Sequence, residues 1–411
     1  MSPPFRCGRA YAMRPGSASA TRVGRDGVRA KRFASSGARL IIRAPDTGEE
    51  GPMALQIELR VPTCAPATEI AAFVARAERA GFDGVGLTDM QMLVRDPFVS
   101  MAMAIQNTSR IRLATAVTNV VTRHVSVLAC AIQSVAELAP GRVRVWMGRG
   151  DSAVYSVGLP HSTIKQMREQ ILTLRSLLAG ERVTFNGVTG RMRHGASATP
   201  PLILAADGPK GLELAGEVAD GVLARVALHP KVVAATRERI AAGARRAGRK
   251  PEDIKLMFCV NGIVRDTMQE ARELARPHCV RWLIAGGALT QGLREAGIAA
   301  ERLPMPKELV EARPEAVSTL NLYPDLHHAE DWDRAKQLCA FLPQDALEQI
   351  CDLIGFIGTP EHCARRFAQL SRDGLDHFYL AGAYTYEFPH PELQAFEKSI
   401  FPAIASLREA R

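Results

Sequence analysis

The sequence predicts an α/β protein built as one eight-stranded parallel (β/α)8 barrel, and three observations point there. Strand-length apolar runs alternate with amphipathic helical segments along the chain from about residue 55 to residue 380, the rhythm of repeated βα units. The runs are apolar almost without interruption, which suits parallel strands buried on both faces. The length of 411 residues, 47% hydrophobic and 23% charged, suits one barrel with insertions, which spans about 200 to more than 400 residues.

Residues 1–52 precede this rhythm. They are rich in Arg, Ser, Gly and Ala and show the period of neither strand nor helix. Too little apolar area is available there to offset ordering entropy, so a disordered basic extension is expected. Three readings compete: an organelle transit peptide, a nucleic-acid arm, and a translation start at Met53. No apolar h-region or clear amphipathic helix supports targeting. The barrel domain is expected to occupy residues 53–411.

Its elements follow in order. Leu55 to Val61 reads as a strand, and Thr68 to Ala80 as a helix whose Ile70, Phe73, Val74 and Ala77 repeat at i, i+3, i+4 and i+7, stopped by Gly81. Phe82 to Leu87 is the second strand, ending at Asp89, and Ile111 to Thr118 the third. A helix through Val127 to Leu138 leads to the fourth strand, Arg142 to Met147. Ile164, Met167, Ile171, Leu174 and Leu178 then form one helical stripe behind a Thr163/Gln166 capping-box spacing. Val183 to Val188 contains Asn186-Gly187, the strongest short hairpin signal. Pro201 to Ala206, Gly221 to Val226, Ile254 to Val264 and Asp376 to Leu380 supply strands five to eight. Between the last two, residues 265–357 form a helical, Pro-punctuated insertion with Gly286-Gly287, Pro304, Pro306 and Tyr323-Pro324. Its length suits an excursion over one end of the barrel, and a lid is one reading of it.

Charge and cysteine usage bound the function. The formal net charge is +9, but residues 1–52 hold nine Arg and one Lys against four acids, a surplus of +6 that leaves +3 for the rest. The main body is thus near neutral and carries no zinc-finger spacing, which argues against nucleic acid as a partner. The eight cysteines are scattered with no C-x-x-C, as expected of reduced thiols in the cytoplasm. No apolar run reaches the roughly 18 residues of a membrane span, and no G-x-S-x-G supports acyl transfer. His327-His328 beside Glu330-Asp331 offers poor metal geometry, because adjacent histidines point apart and a third ligand is missing, so no metal site is expected. His377, among apolar neighbours, reads as a core histidine.

In a parallel barrel the active site forms where strands end. Those positions hold Asp89, Asn119, Gly148 to Ser152, Asp207-Gly208-Pro209 and Arg225. Glycines at 148, 150 and 208 let a flat ring or phosphate approach backbone N–H groups, and the helix start after Pro209 is an anion site. Arg149 and Arg225 are suited to phosphate. Singly, each motif is also an ordinary turn or surface cation; their joint placement carries the functional reading.

These residues bring a family into view. Gly81-Phe82-Asp83-Gly84-Val85, Thr118-Asn119 with Thr122-Arg123-His124, Gly141-Arg142-Val143, Gly148-Arg149-Gly150-Asp151-Ser152-Ala153-Val154 with Gly158-Leu159-Pro160, Pro200-Pro201-Leu202 with Ala205-Ala206-Asp207-Gly208-Pro209, Ala219-Asp220-Gly221, Ile357-Gly358-Thr359-Pro360-Glu361 and Gly374-Leu375-Asp376-His377 together resemble the bacterial luciferase-like flavin oxidoreductases. Within them the chain looks most like the branch of methylenetetrahydromethanopterin reductase and other enzymes of coenzyme F420. The resemblance implies a non-proline cis peptide between Ala116 and Val117 behind the cofactor ring, with Asn119 nearby. It further implies that the loops at Gly148 to Ser152 and at Ala206, Asp207, Gly208 and Pro209, with Arg225, hold ring edge and phosphate. A small-molecule substrate and a homodimer are expected on the same ground.

One departure stands out. Many members carry Asp-His after the second strand, whereas this chain has Asp89-Met90. A methionine cannot transfer a proton, and Asp151 is the candidate replacement, with a helix N-cap as its competing role. Three functions stay open: hydride transfer with coenzyme F420, an FMN-dependent monooxygenase using dioxygen, and a flavin-binding barrel without turnover.

Overall fold

Eight strands close into a ring: β1 (Gln56–Val61), β2 (Gly84–Leu87), β3 (Arg112–Thr115), β4 (Val143–Met147), β7 (Leu202–Ala206), β8 (Gly221–Ala224), β9 (Lys255–Val264) and β11 (His377–Ala381), the last returning to pair with β1. Every pairing in this ring is parallel. The computed structural model describes residues 54–409 apart from 299–302, 307–308, 310–325, 327 and 330. The expectations for residues 1–52, Met53, Tyr323-Pro324, His327 and Glu330 lie outside the described residues.

The eight ring strands are the eight apolar runs of the sequence, trimmed at their ends except that β11 runs one residue further, to Ala381. Helices α1 (Ala67–Ala80), α2 (Pro97–Gln106), α3 (Val125–Leu138), α4 (Ser152–Tyr155), α5 (Ile164–Leu178), α6 (Pro209–Val218) and α7 (Pro230–Arg246) follow strands in turn. Outward residues Ile57, Leu59 and Val61 of β1 join the same buried core as the stripe Ile70, Phe73, Val74 and Ala77 of α1. Gly81 ends α1 in the left-handed region at φ 102°, where a Cβ would be penalised. The Thr163/Gln166 capping box is formed in both directions at the start of α5. Asn186 and Gly187 both take positive φ and join β5 (Val183–Phe185) to antiparallel β6 (Val188–Gly190), as a primed hairpin turn requires. Between α6 and α7 two glycines allow a close crossing: a Cβ on Gly216 would collide with the Ile240 carbonyl, and one on Gly243 with the Glu213 carbonyl.

Alternate residues point into the barrel, and they stack in layers. Glu58, Arg144 and His377 form the layer nearest the strand starts. Arg144 holds both Glu58 carboxylate oxygens, His377 Nε2 donates to Glu58 Oε1 at 2.6 Å, and Arg112 lies 3.7 Å away. Burial opposes charge on Glu58, yet Arg144 and His377 hold its carboxyl well below the usual carboxylate range. His377 is thus a satisfied core histidine. Ala114, Trp146, Ile203, Leu223, Met257 and Tyr379 form the next layer, with Trp146 and Tyr379 edge to face at 4.7 Å.

The excursion between β9 and β11 is helical, with α8 (Met268–Ile284), α9 (Gly287–Glu295), α10 (Trp332–Leu338) and α11 (Gln344–Ile354), and it buries its own core around Trp282, Leu293, Leu347 and Ile350. It also ends in a strand the sequence did not reveal. β10 (Gly355–Gly358) pairs in parallel with residues 261–264 of β9. Four residues bounded by glycines carry almost no periodic signal, and a Cβ on Gly355 would collide with the Asn261 carbonyl, so the residue that permits the pairing is the one that hides it. Helices α12 (Pro360–Arg372) and α13 (His390–Ala395) complete the chain's main packing.

Candidate active site

A cavity of about 980 Å³ opens at the carboxyl ends of the ring strands. Its walls include every candidate named from the sequence: Asp89, Ala116, Val117, Asn119, Gly148, Arg149, Gly150, Asp151, Ser152, Ala206, Asp207, Gly208, Pro209 and Arg225. The fold brings them together because each follows, or ends, an inward-facing strand. The excursion covers the opposite side with His278 and Arg281 from α8 and Gly286 to Leu289 around the start of α9.

Beneath β2 and β3 the wall is set by short-range turns. Asn119 Oδ1 accepts from the backbone N–H groups of Val121 and Thr122, both at 2.9 Å, and from the Thr122 hydroxyl. That turn fixes the amide and leaves Asn119 Nδ2 buried without a partner. Asp89, 2% exposed, accepts on Oδ1 from Gln91 at 2.7 Å and from Arg123 at 3.2 Å, while Oδ2 is buried without a partner. Arg123 also reaches Asp96 at 2.9 Å, the N-cap of α2. The Ala116–Val117 peptide is cis, at the bond where the family resemblance implied one. Met90 is buried on the same wall.

The loop after β4 is packed closely. Gly148 donates its N–H to Thr118 at 2.9 Å, and a Cβ there would stand 2.9 Å from Val117 Cγ2. Gly150 takes φ 96°. Arg149 is exposed, and its Nε donates to the Ser162 carbonyl at 2.7 Å. Asp151 occupies the N-cap position of α4, but its side chain makes no capping bond and is exposed. Ser152 is buried, its Oγ 2.5 Å from His328 Nε2.

At the other end of the cavity, α6 starts with Gly208 as N-cap and Pro209 in the first turn. Beyond its chain neighbours, no atom lies within 4 Å of a Cβ built on Gly208, and Lys210 and Gly211 of the first turn, whose N–H groups have no intrahelical partner, line the cavity. The Arg225 guanidinium lies 5.7 Å from the Trp282 ring centroid, and its side chain has no hydrogen bond or ion pair to another described residue.

Several wall residues escaped the sequence reading. Arg60 donates to the Thr385 carbonyl at 3.0 Å, and His278, Asn261, Cys259 and Tyr379 complete the floor and roof. Arg60 and Glu58 had a signal: two charges at i and i+2 in an apolar strand mark an inward polar face. His278 had none, because its helix shows no clear stripe. Burial, with Arg225, Arg281 and Arg60 adding to it, pushes His278 down to about 3, and burial pushes the Tyr379 phenol up. Both are neutral at physiological pH. His328, read beside His327 as a poor metal pair, instead bonds Ser152 and Tyr386.

Known proteins resemble this chain in sequence and in fold. The chain is 37% identical over 195 residues to a 5,10-methylenetetrahydromethanopterin reductase from Methanolobus tindarius, covering 46% of this chain and 59% of that relative. It is 26% identical over 343 residues to the protein of the same name from Archaeoglobus fulgidus, covering 82% of this chain and 96% of that one. A solved coenzyme F420-dependent tetrahydromethanopterin reductase from Methanopyrus kandleri has the same fold, with TM-score 0.67 at 19% identity over 85% of this chain and 99% of that one. The profile described as luciferase-like monooxygenase matches residues 44–377, from ahead of β1 to the first residue of β11, and the chain therefore belongs to the luciferase-like monooxygenase family.

Proposed function

We propose that this protein is an oxidoreductase that uses coenzyme F420 for hydride transfer to or from a small organic substrate. The observation that carries the reading is the strand-end cavity with polar groups left unsatisfied at one end and an open helix N-terminus at the other. Buried polar atoms are costly without partners, and Asn119 Nδ2 and Asp89 Oδ2 stand without one on the cavity wall. They suit the polar edge of a flat heterocycle. The open space at Gly208 and the N–H groups of Lys210 and Gly211 suit the phosphate of its tail.

When bound, the deazaflavin would supply or accept the hydride. The chain's own residues do the rest. Ala116, Val117 and Gly148 shape a flat wall, Asn119 and Asp89 orient by hydrogen bonds, and the α6 start, Arg149 and Arg225 balance negative charge. The excursion excludes water through His278 and the start of α9. Met90 removes the proton partner expected after β2, and Asp151, exposed at the start of α4 without a capping bond, adds negative charge to the facing loop. Relatives named as methylenetetrahydromethanopterin reductases support a reductase.

Titration of the purified protein with coenzyme F420 and, separately, FMN tests this. Quenching of deazaflavin fluorescence with saturable binding is expected, together with oxidation of reduced coenzyme F420 by methylenetetrahydromethanopterin. Binding of FMN alone, with dioxygen-dependent turnover, overturns the proposal.

A further inference from the structure

We infer that Ser152, His328 and Tyr386 form a proton relay from solvent to the substrate in the cavity, with Ser152 as the group that touches substrate. This rests on the cavity being a hydride-transfer site, because a hydride delivered to an electrophilic carbon must be matched by a proton at the heteroatom that takes up the released bonding pair.

The geometry is continuous. Ser152 lines the cavity at the start of α4. Its Oγ lies 2.5 Å from His328 Nε2, and His328 Nδ1 lies 2.8 Å from the Tyr386 hydroxyl. Three separate segments meet here: the loop after β4, the excursion, and the loop after β11. His328 is 5% exposed, whereas Tyr386 is only half-buried and reaches the surface.

The chemistry of the two flanking groups is what distinguishes a relay from a strut. A carboxylate or carbonyl against a histidine nitrogen pins one tautomer, as the Ala383 carbonyl does for His278 Nε2 at 2.8 Å. Hydroxyls both donate and accept, so the Ser152–His328–Tyr386 chain can run in either direction. Burial, reinforced by Arg281 on α8 and Arg60 on β1, pushes His328 down to about 3. The ring therefore carries one proton near neutrality, and can gain one at Nδ1 as it releases one at Nε2.

In the reducing direction the carbon that gains the hydride, which a bound reduced deazaflavin would supply, gives up a bonding pair to its heteroatom, and that heteroatom takes the Ser152 hydroxyl proton. Ser152 Oγ receives the Nε2 proton of His328, Nδ1 takes the Tyr386 phenol proton, and Tyr386 is reprotonated by water. One hydride and one solvent proton enter the product; oxidation runs the sequence backwards. The relay supplies the proton function that Met90 lacks.

Two measurements test it. In full-length protein labelled with 15N-histidine and free of cofactor, exchange of the His328 ring N–H with water is measured for the unaltered chain and Tyr386→Phe. Conduction through Tyr386 predicts a slowing of about 10-fold, the weight of one lost hydrogen-bonded link; an unchanged or faster rate overturns the relay. With reduced coenzyme F420 and methylenetetrahydromethanopterin as probe, Ser152→Ala and His328→Gln should each lower kcat about 100-fold at similar KM and change the solvent deuterium isotope effect. Full kcat in Ser152→Ala, or the same loss in Asp151→Ala alone, overturns it as well. No turnover of the probe by the unaltered protein counts against the proposed function, while the exchange rate still decides the relay.

Discussion

Acid should weaken this protein well above the range in which its carboxylates titrate. His278 and His328 are pushed down to about 3 in the fold, chiefly by burial, against about 6.5 in an unfolded chain. A folded pKa below the unfolded one means the stabilisation is complete above pH 6.5 and is lost as pH falls towards 3. At pH 5 each histidine is protonated in the unfolded chain and neutral in the native one. The difference is about 1.4 kcal/mol per unit over roughly 1.5 units, or about 2 kcal/mol for each and about 4 kcal/mol for both. His377 and His362, whose pKa values burial also lowers, act in the same direction. Glu58 and Glu78, both held low, lose their contribution only below about 4.5, so the histidines dominate the window from pH 7 to 5, opposed by Asp376, whose carboxyl burial pushes up. Against a total of 5–15 kcal/mol for a typical domain, such a loss is easily read by urea unfolding at pH 7, 6 and 5. His278→Gln should remove about one proton from the slope. A stability change equivalent to less than one proton across that window would refute the argument.

Other expectations follow from the packing. Glu58→Gln leaves Arg144 and His377 facing a neutral amide in the barrel interior and should cost about 3–5 kcal/mol, measured by the shift of the urea midpoint. Gly216→Ala and Gly243→Ala force apart α6 and α7, whose backbones touch at these positions; each should lower the midpoint by the equivalent of about 1–3 kcal/mol or more. Gly208→Leu has an ordinary extended backbone and open space, so folding should be unchanged while coenzyme F420 binds about 10-fold or more weakly, for loss of charge-assisted bonds at the helix start. Fluorescence titration checks it.

The barrel was legible because its strands lie in mostly apolar runs that alternate with helical stripes, several of them followed by Gly, Asp or Asn. The hairpin at Asn186-Gly187 and the capping box at Thr163 were legible for a related reason: both depend on contacts within a few residues. What the sequence hid depends on distance along the chain. β10 exists only against β9, nearly a hundred residues earlier. His328 looked like half of a poor metal pair because its partners, Ser152 and Tyr386, are 176 and 58 residues away. The candidate wall was found from strand ends alone, whereas its roof required knowing where α8 and α9 come to rest.

The placement of β10 has a bearing on how molecules enter and leave. The excursion departs from the end of β9 at Val264 and returns alongside it at Gly355, opposite Asn261, so both of its roots are fastened to one beam. Swinging it away as a unit would shear a four-residue parallel seam and strip a contact that only glycine permits. A ligand that passes Asp151, Asp207, Pro209 and Lys210, which are exposed and line the cavity, leaves that seam intact.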